Sequence, residues 1–181
     1  MYEIVSVCSR DVAVSKLRMS NRKLNVISIQ EATGRDEALM DALGQHAKNY
    51  IVLKFSDVED DNLHMQQTHS ELVWPEREDV VKALDFAQEH IQDGIIVHCT
   101  AGVSRSTAVA YAILCSLSLP PAMALEILYE DNPSMWPNDR LTRIASEYLR
   151  IPGMVVMLDE WKEEHRNDDI TKYYGADIFE A

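Results

Sequence analysis

The sequence predicts an α/β fold with a mostly parallel central sheet of four or five strands flanked by helices. Two observations predict it. Short β-branched runs recur along the chain, separated by loops and helical segments rather than by two-residue hairpin turns, which favours parallel pairing. One of them, Ile95-Ile96-Val97, is apolar throughout, the pattern of a strand covered on both faces, and it leads through a tight loop into Ala-, Leu- and Tyr-rich helical sequence.

Tyr2 to Cys8 alternates and is rich in β-branched residues, so it reads as a strand, and Asp11 to Lys16 starts a short helix. Asn25 to Ile29 is a second strand, Glu31 to Gly34 a loop, Asp36 to Gly44 a weak helix or turn, and Tyr50 to Phe55 a third strand. Asn62 to Ser70 is polar and rich in Met, Gln and His, a segment suited to a lid. Pro75, followed by Glu76, Glu78 and Asp79, opens a helix, with proline at the first position and acids at the positive dipole end. Its apolar face runs from Val80 through Leu84 and Ala87 to Ile91, and it stops at Asp93-Gly94 before the fourth strand, Ile95 to His98. Ser104 to Leu117 is a central helix whose Ala108, Ala110 and Ala112 permit close packing. Pro120-Pro121 ends it and starts Ala122 to Tyr129; after a turn-rich loop from Asn132 to Asn138, Asp139 to Arg150 and Met154 to Trp161 form the last two helices.

At 181 residues the chain fits one domain, assigned to 1–165, followed by an acidic tail at 166–181 that is either a docking segment or a frayed end. No apolar run is long enough to span a bilayer, and Met1 to Val5 lacks the features of a secretory signal, so the expectation is a soluble, cytoplasmic monomer. Cys8, Cys99 and Cys115 are too few for a disulfide framework, and no Cys/His pairing has zinc spacing, so neither metal nor cofactor is expected. The scattered His64, His69 and His90 are read as solvent-facing. A formal net charge of −13 argues against nucleic-acid or anionic-membrane partners. Any anion site must depend on local groups.

The loop after the fourth strand supplies such groups. Its backbone amides meet the N-terminus of the central helix, where unpaired N–H groups and the dipole attract an anion, and Gly102 lets the backbone curl into a nest. Arg105 follows Cys99 after five residues, so a guanidinium can clamp two oxygens of a tetrahedral oxyanion. A phosphate held by the amides of Thr100, Ala101, Gly102, Val103 and Ser104 and by Arg105 fits best. In such an electropositive cup Cys99 serves as a thiolate nucleophile, and Ser106 offers it a hydroxyl that helps sulfur leave when a phosphocysteine is hydrolysed. His98 is read as scaffold.

The run His98-Cys99-Thr100-Ala101-Gly102-Val103-Ser104-Arg105-Ser106 resembles the signature loop of the cysteine-dependent protein tyrosine phosphatases, closest to their compact dual-specificity-like branch. The resemblance extends from the second strand to the helix at Asp139. It implies hydrolysis of phosphotyrosine, with phosphoserine and phosphothreonine left open, on a phosphorylated protein or peptide. That chemistry needs a carboxylic acid to protonate the leaving oxygen, and the rim shared with Cys99 carries a candidate cluster after Phe55. Asp57 is the choice, Asp60 and Asp61 are alternatives, and Glu76 is a rival because Trp74-Pro75-Glu76 is similar to the Trp-Pro-Asp loop of the tyrosine-specific phosphatases. In the larger family a late-loop amide positions the hydrolytic water, but Asn138 reads equally as a helix cap and is kept out of the catalytic set. The alternative function is a module that captures phosphorylated partners with weak or no turnover, favoured only by the long spacing between Asp57 and Cys99.

Overall fold

The computed structural model describes residues 5–34, 36–59 and 72–166. The tail expected at 166–181 apart from Arg166, the lid expected at 62–70, and Asp60 and Asp61 lie outside the described residues. Among those described, four strands form one sheet: β1 (Val5–Ser9), β2 (Leu24–Gln30), β3 (Ala47–Lys54) and β4 (Ile95–Cys99). All pairings are parallel and the spatial order is β1-β4-β2-β3. Seven α-helices among the described residues surround it: α1 (Arg10–Met19), α2 (Glu37–His46), α3 (Arg77–His90), α4 (Arg105–Ser116), α5 (Pro121–Asp131), α6 (Asp139–Leu149) and α7 (Gly153–Glu164). None is long and apolar enough to cross a membrane.

Every residue of β4 is buried, which accounts for its unbroken apolar run. Side chains alternate across a strand, so Ile95, Val97 and Cys99 join the main core with α3 and α4, whereas Ile96 packs with Cys8 and Ala13 on the opposite face. Leu17 of α1 and Leu39 and Leu43 of α2 close that second face over Val26. Cys8 and Cys99 therefore point to opposite sides of the sheet. Burial pushes the Cys8 thiol up to about 11 and the Cys115 thiol up to about 12, so both stay protonated and pack as small apolar groups.

Three local readings need correction. β3 begins at Ala47 rather than Tyr50, because α2 ends at His46 and passes straight into the strand without a turn residue. Its polar start is held by pairing, Asn49 Nδ2 donating to Asn25 Oδ1 at 3.0 Å. Pro75 precedes α3 instead of occupying its first position: Glu76 is the N-cap, in a reciprocal capping box with Asp79. His90 is largely buried, edge-on to Phe86 with ring centroids 4.6 Å apart, since it falls on the helix face that packs inward.

His98 is fully buried, and burial depresses its pKa from 6.5 to about 4. The unfolded chain takes up a proton near its ordinary value, whereas the native state refuses it until about pH 4. Stability contributed by keeping His98 neutral is thus present above 6.5 and lost as acid is added through that window. Urea titrations should show about 2 kcal/mol lost to this residue between pH 7 and pH 5, a loss that His98→Asn removes.

Candidate active site

The sheet delivers Cys99 at the carboxyl end of its central strand, and the loop 100–104 carries the chain onto α4. The loop carbonyls are turned outward and tied down. Thr100 O accepts from Arg10 N at 3.2 Å, Gly102 O from Asn132 Nδ2 at 2.8 Å, and Val103 O from Trp136 N at 3.0 Å. Ser104 O accepts from Ala108 N, Asn138 N and Thr107 Oγ1. A curled loop with its carbonyls outside presents its N–H groups to the inside, the condition for an anion nest. Gly102 N donates to Cys99 Sγ at 3.3 Å, and Ser106 Oγ lies 3.2 Å from the same sulfur. Both groups are able to donate to the sulfur.

Gly102 makes the curl possible. Its φ is +83°, and a Cβ placed there would meet the backbone of β1, Cys8 C and Ser9 N, at 2.6 Å each. Neither strand nor loop can yield without breaking its own pairings. Gly102→Ala should therefore lower stability by about 2–4 kcal/mol, read from the urea midpoint, and reduce oxyanion binding with it.

Arg105 is buried across the loop, and each of its side-chain nitrogens has a distinct neighbour. Nη1 donates to Phe55 O at 3.0 Å; Nη2 donates to Glu31 Oε1 at 2.5 Å and Thr100 Oγ1 at 3.2 Å; Nε makes no hydrogen bond and lies 3.7 Å from Asp57 Oδ2. Asp57 itself, partly exposed just past β3, accepts from Ser104 Oγ at 2.7 Å and Asn138 Nδ2 at 2.9 Å. Cys99, Arg105, Ser106, Asp57 and the loop residues expected at the site are thus brought together. Glu76 is not among them, since it is committed to capping α3.

Sequence reading missed two features. Glu31 holds Arg105 and also accepts from Thr100 Oγ1 at 3.1 Å, and its only signal was a place on the carboxyl rim of β2. Asn138 does cap α6, accepting from Leu141 N at 3.0 Å, but its amide also donates to Asp57 Oδ1 and Val58 O. One side chain therefore orients the carboxylate and starts a helix.

Residues 23–151 match the family described as dual specificity phosphatase, catalytic domain. A Dictyostelium discoideum protein named "probable dual specificity protein phosphatase" is 39% identical over 62 residues; the match covers 32% of this chain and spans only 27% of that relative. Among solved structures, the active form of Tk-PTP superposes with a TM-score of 0.56 at 15% identity, covering 81% of this chain and 92% of its own. Cydia pomonella PTP-2 phosphatase gives 0.56 at 14% identity, with 79% and 84% covered. These similarities show the fold. With the matched family covering the sheet from β2 onward, the signature loop and Asp57, the chain belongs to the dual specificity phosphatase catalytic-domain family.

Proposed function

We propose that the protein hydrolyses phosphotyrosine in protein or peptide substrates, with phosphoserine and phosphothreonine as further substrates, through a phosphocysteine intermediate. The observation that supports this most is the convergence of Cys99 Sγ, an inward-facing amide nest and the Asp57 carboxylate at one strand end. The substrate phosphate lies in the nest, its equatorial oxygens taken by the amides of Thr100 to Ser106 and by Arg105 through Nε. Cys99 attacks phosphorus in line; the S–P bond forms as the P–O ester bond breaks, and the leaving oxygen takes its proton from Asp57. Asp57 then accepts a proton from water as that water attacks the phosphocysteine. The departing sulfur receives the Ser106 hydroxyl's hydrogen bond.

Asn138 acts as a positioning residue for Asp57, and Glu31 for Arg105. The placement of Asp57 against the loop supports turnover over simple capture, because a binding module has no use for an acid beside the ester oxygen. The test is release of inorganic phosphate from phosphotyrosine and phosphoserine peptides by the purified protein, with chelator and reductant present. Turnover of the phosphotyrosine peptide is expected. Binding of both peptides without phosphate release would overturn the enzyme reading.

A further inference from the structure

Ser104 stands at the N-cap of α4, the position where a serine hydroxyl ordinarily accepts from an N–H of the first helical turn. This one makes no cap hydrogen bond, so it consumes none of the leading N–H groups of α4 that face an anion. Its Oγ donates instead to Asp57 Oδ1 at 2.7 Å, a contact between residues 47 apart in the chain.

Asn138 approaches the same oxygen from the other side of the site. Its Oδ1 accepts from Leu141 N at 3.0 Å, which fixes how the amide is turned. Its Nδ2 can therefore only donate, to Asp57 Oδ1 at 2.9 Å and to Val58 O at 3.2 Å. Both lone pairs of Asp57 Oδ1 are thus engaged as acceptors, and the proton of the acid belongs on Oδ2. Oδ2 lies 3.7 Å from Arg105 Nε, whose N–H is buried without a hydrogen-bond partner. The Asp57 side chain keeps 39% of its surface exposed, so a substrate can meet it.

We propose that Ser104 is a positioning residue that assigns the transferable proton to Asp57 Oδ2 and holds that oxygen beside the N–H that takes the phosphate. The proposal rests on the phosphatase reading above and deepens its protonation step. Ser104 belongs to the anion nest through its backbone and to the acid through its side chain, so a single residue sets the distance from phosphate to proton. As Cys99 Sγ bonds to phosphorus, the electron pair of the breaking P–O bond goes to the leaving oxygen, which takes the Oδ2 proton. Asp57 is left a carboxylate whose Oδ1 is already held by two donors, and hydrogen bonds to a charged acceptor are the stronger kind.

The test is kcat/KM, which reports events up to formation of the phosphocysteine, for phenyl phosphate and for nitrophenyl phosphate in the wild type and in Ser104→Ala. The variant should lose about tenfold on the phenyl ester and about twofold on the nitrophenyl ester, whose leaving group needs little protonation. Inhibition by inorganic phosphate should be unchanged, because the nest binds through backbone N–H groups. Adding Ser104→Ala to Asp57→Asn should cost nothing further on phenyl phosphate, since the effect passes through the acid. Undiminished activity in Ser104→Ala, equal losses on the two esters, weakened phosphate inhibition, or the full loss repeated in the Asp57→Asn background overturns the inference and leaves the phosphatase reading standing. A wild type that turns over neither ester, nor a phosphopeptide, sinks both.

Discussion

Cys99→Ser should abolish hydrolysis of an aryl phosphate, by about 10⁴-fold or more, while the protein still binds an oxyanion. The loop's outer contacts, unlike the Gly102 N–H that reaches Sγ, do not involve the sulfur. The carbonyls of Thr100, Gly102, Val103 and Ser104 are held by Arg10, Asn132, Trp136 and Asn138, and Arg105 is held by Phe55 O and Glu31, so the cup keeps its shape when one atom is exchanged. A serine hydroxyl is a far weaker nucleophile at neutral pH than a thiolate, and Ser106 Oγ, 3.2 Å from Cys99 Sγ, is no base that could activate it. Single-turnover quench should trap phosphate on Cys99 in the wild type and none in the variant. A variant that kept even a hundredth of the activity would show that another group attacks phosphorus.

Asp57→Asn is the second large effect, about 10²–10⁴-fold in kcat for a phenyl ester. Asparagine preserves the shape and can still accept from Ser104 Oγ, so the loop should be undisturbed and the loss confined to proton transfer. The loss should shrink as the leaving phenol becomes more acidic, since a stable phenolate needs little help. Undiminished activity in Asp57→Asn would pass the acid role to Asp60 or Asp61. Glu76 is poorly placed to inherit it because its carboxylate and that of Asp79 are engaged in starting α3.

The strands and the signature loop were legible because each rests on local pattern: β-branched runs bounded by loops for the sheet, and five chemically distinct residues at fixed spacing for the cup. Asp57 could be found because topology places every parallel strand's carboxyl end on one rim. Glu31 could not, since a lone acid after a strand looks like any solvated turn, and what singles it out is a guanidinium 74 residues away. Asn138 was half legible. Its cap is a contact three residues along the chain, but the contact to Asp57 spans 81 residues and leaves no trace in local sequence. Pro75 misled for a related reason: proline marks the neighbourhood of a helix start, and the reciprocal bonds of Glu76 and Asp79 decide where the first turn closes.

The strand order has a consequence for how the chain comes together. β4 lies between β1 and β2, yet it is the last of the four to be made, and its pairing with β1 joins Val5 to Ile95. During synthesis β1 waits through the whole of β2, β3 and α3 with no neighbour on its inner edge. Closing so long a segment costs chain entropy before any contact repays it, so insertion of β4 should be a slow step of assembly. The strand that completes the sheet is also the one that ends in Cys99, so an immature chain has neither a finished core nor a formed cup. The loop and the sheet are completed together.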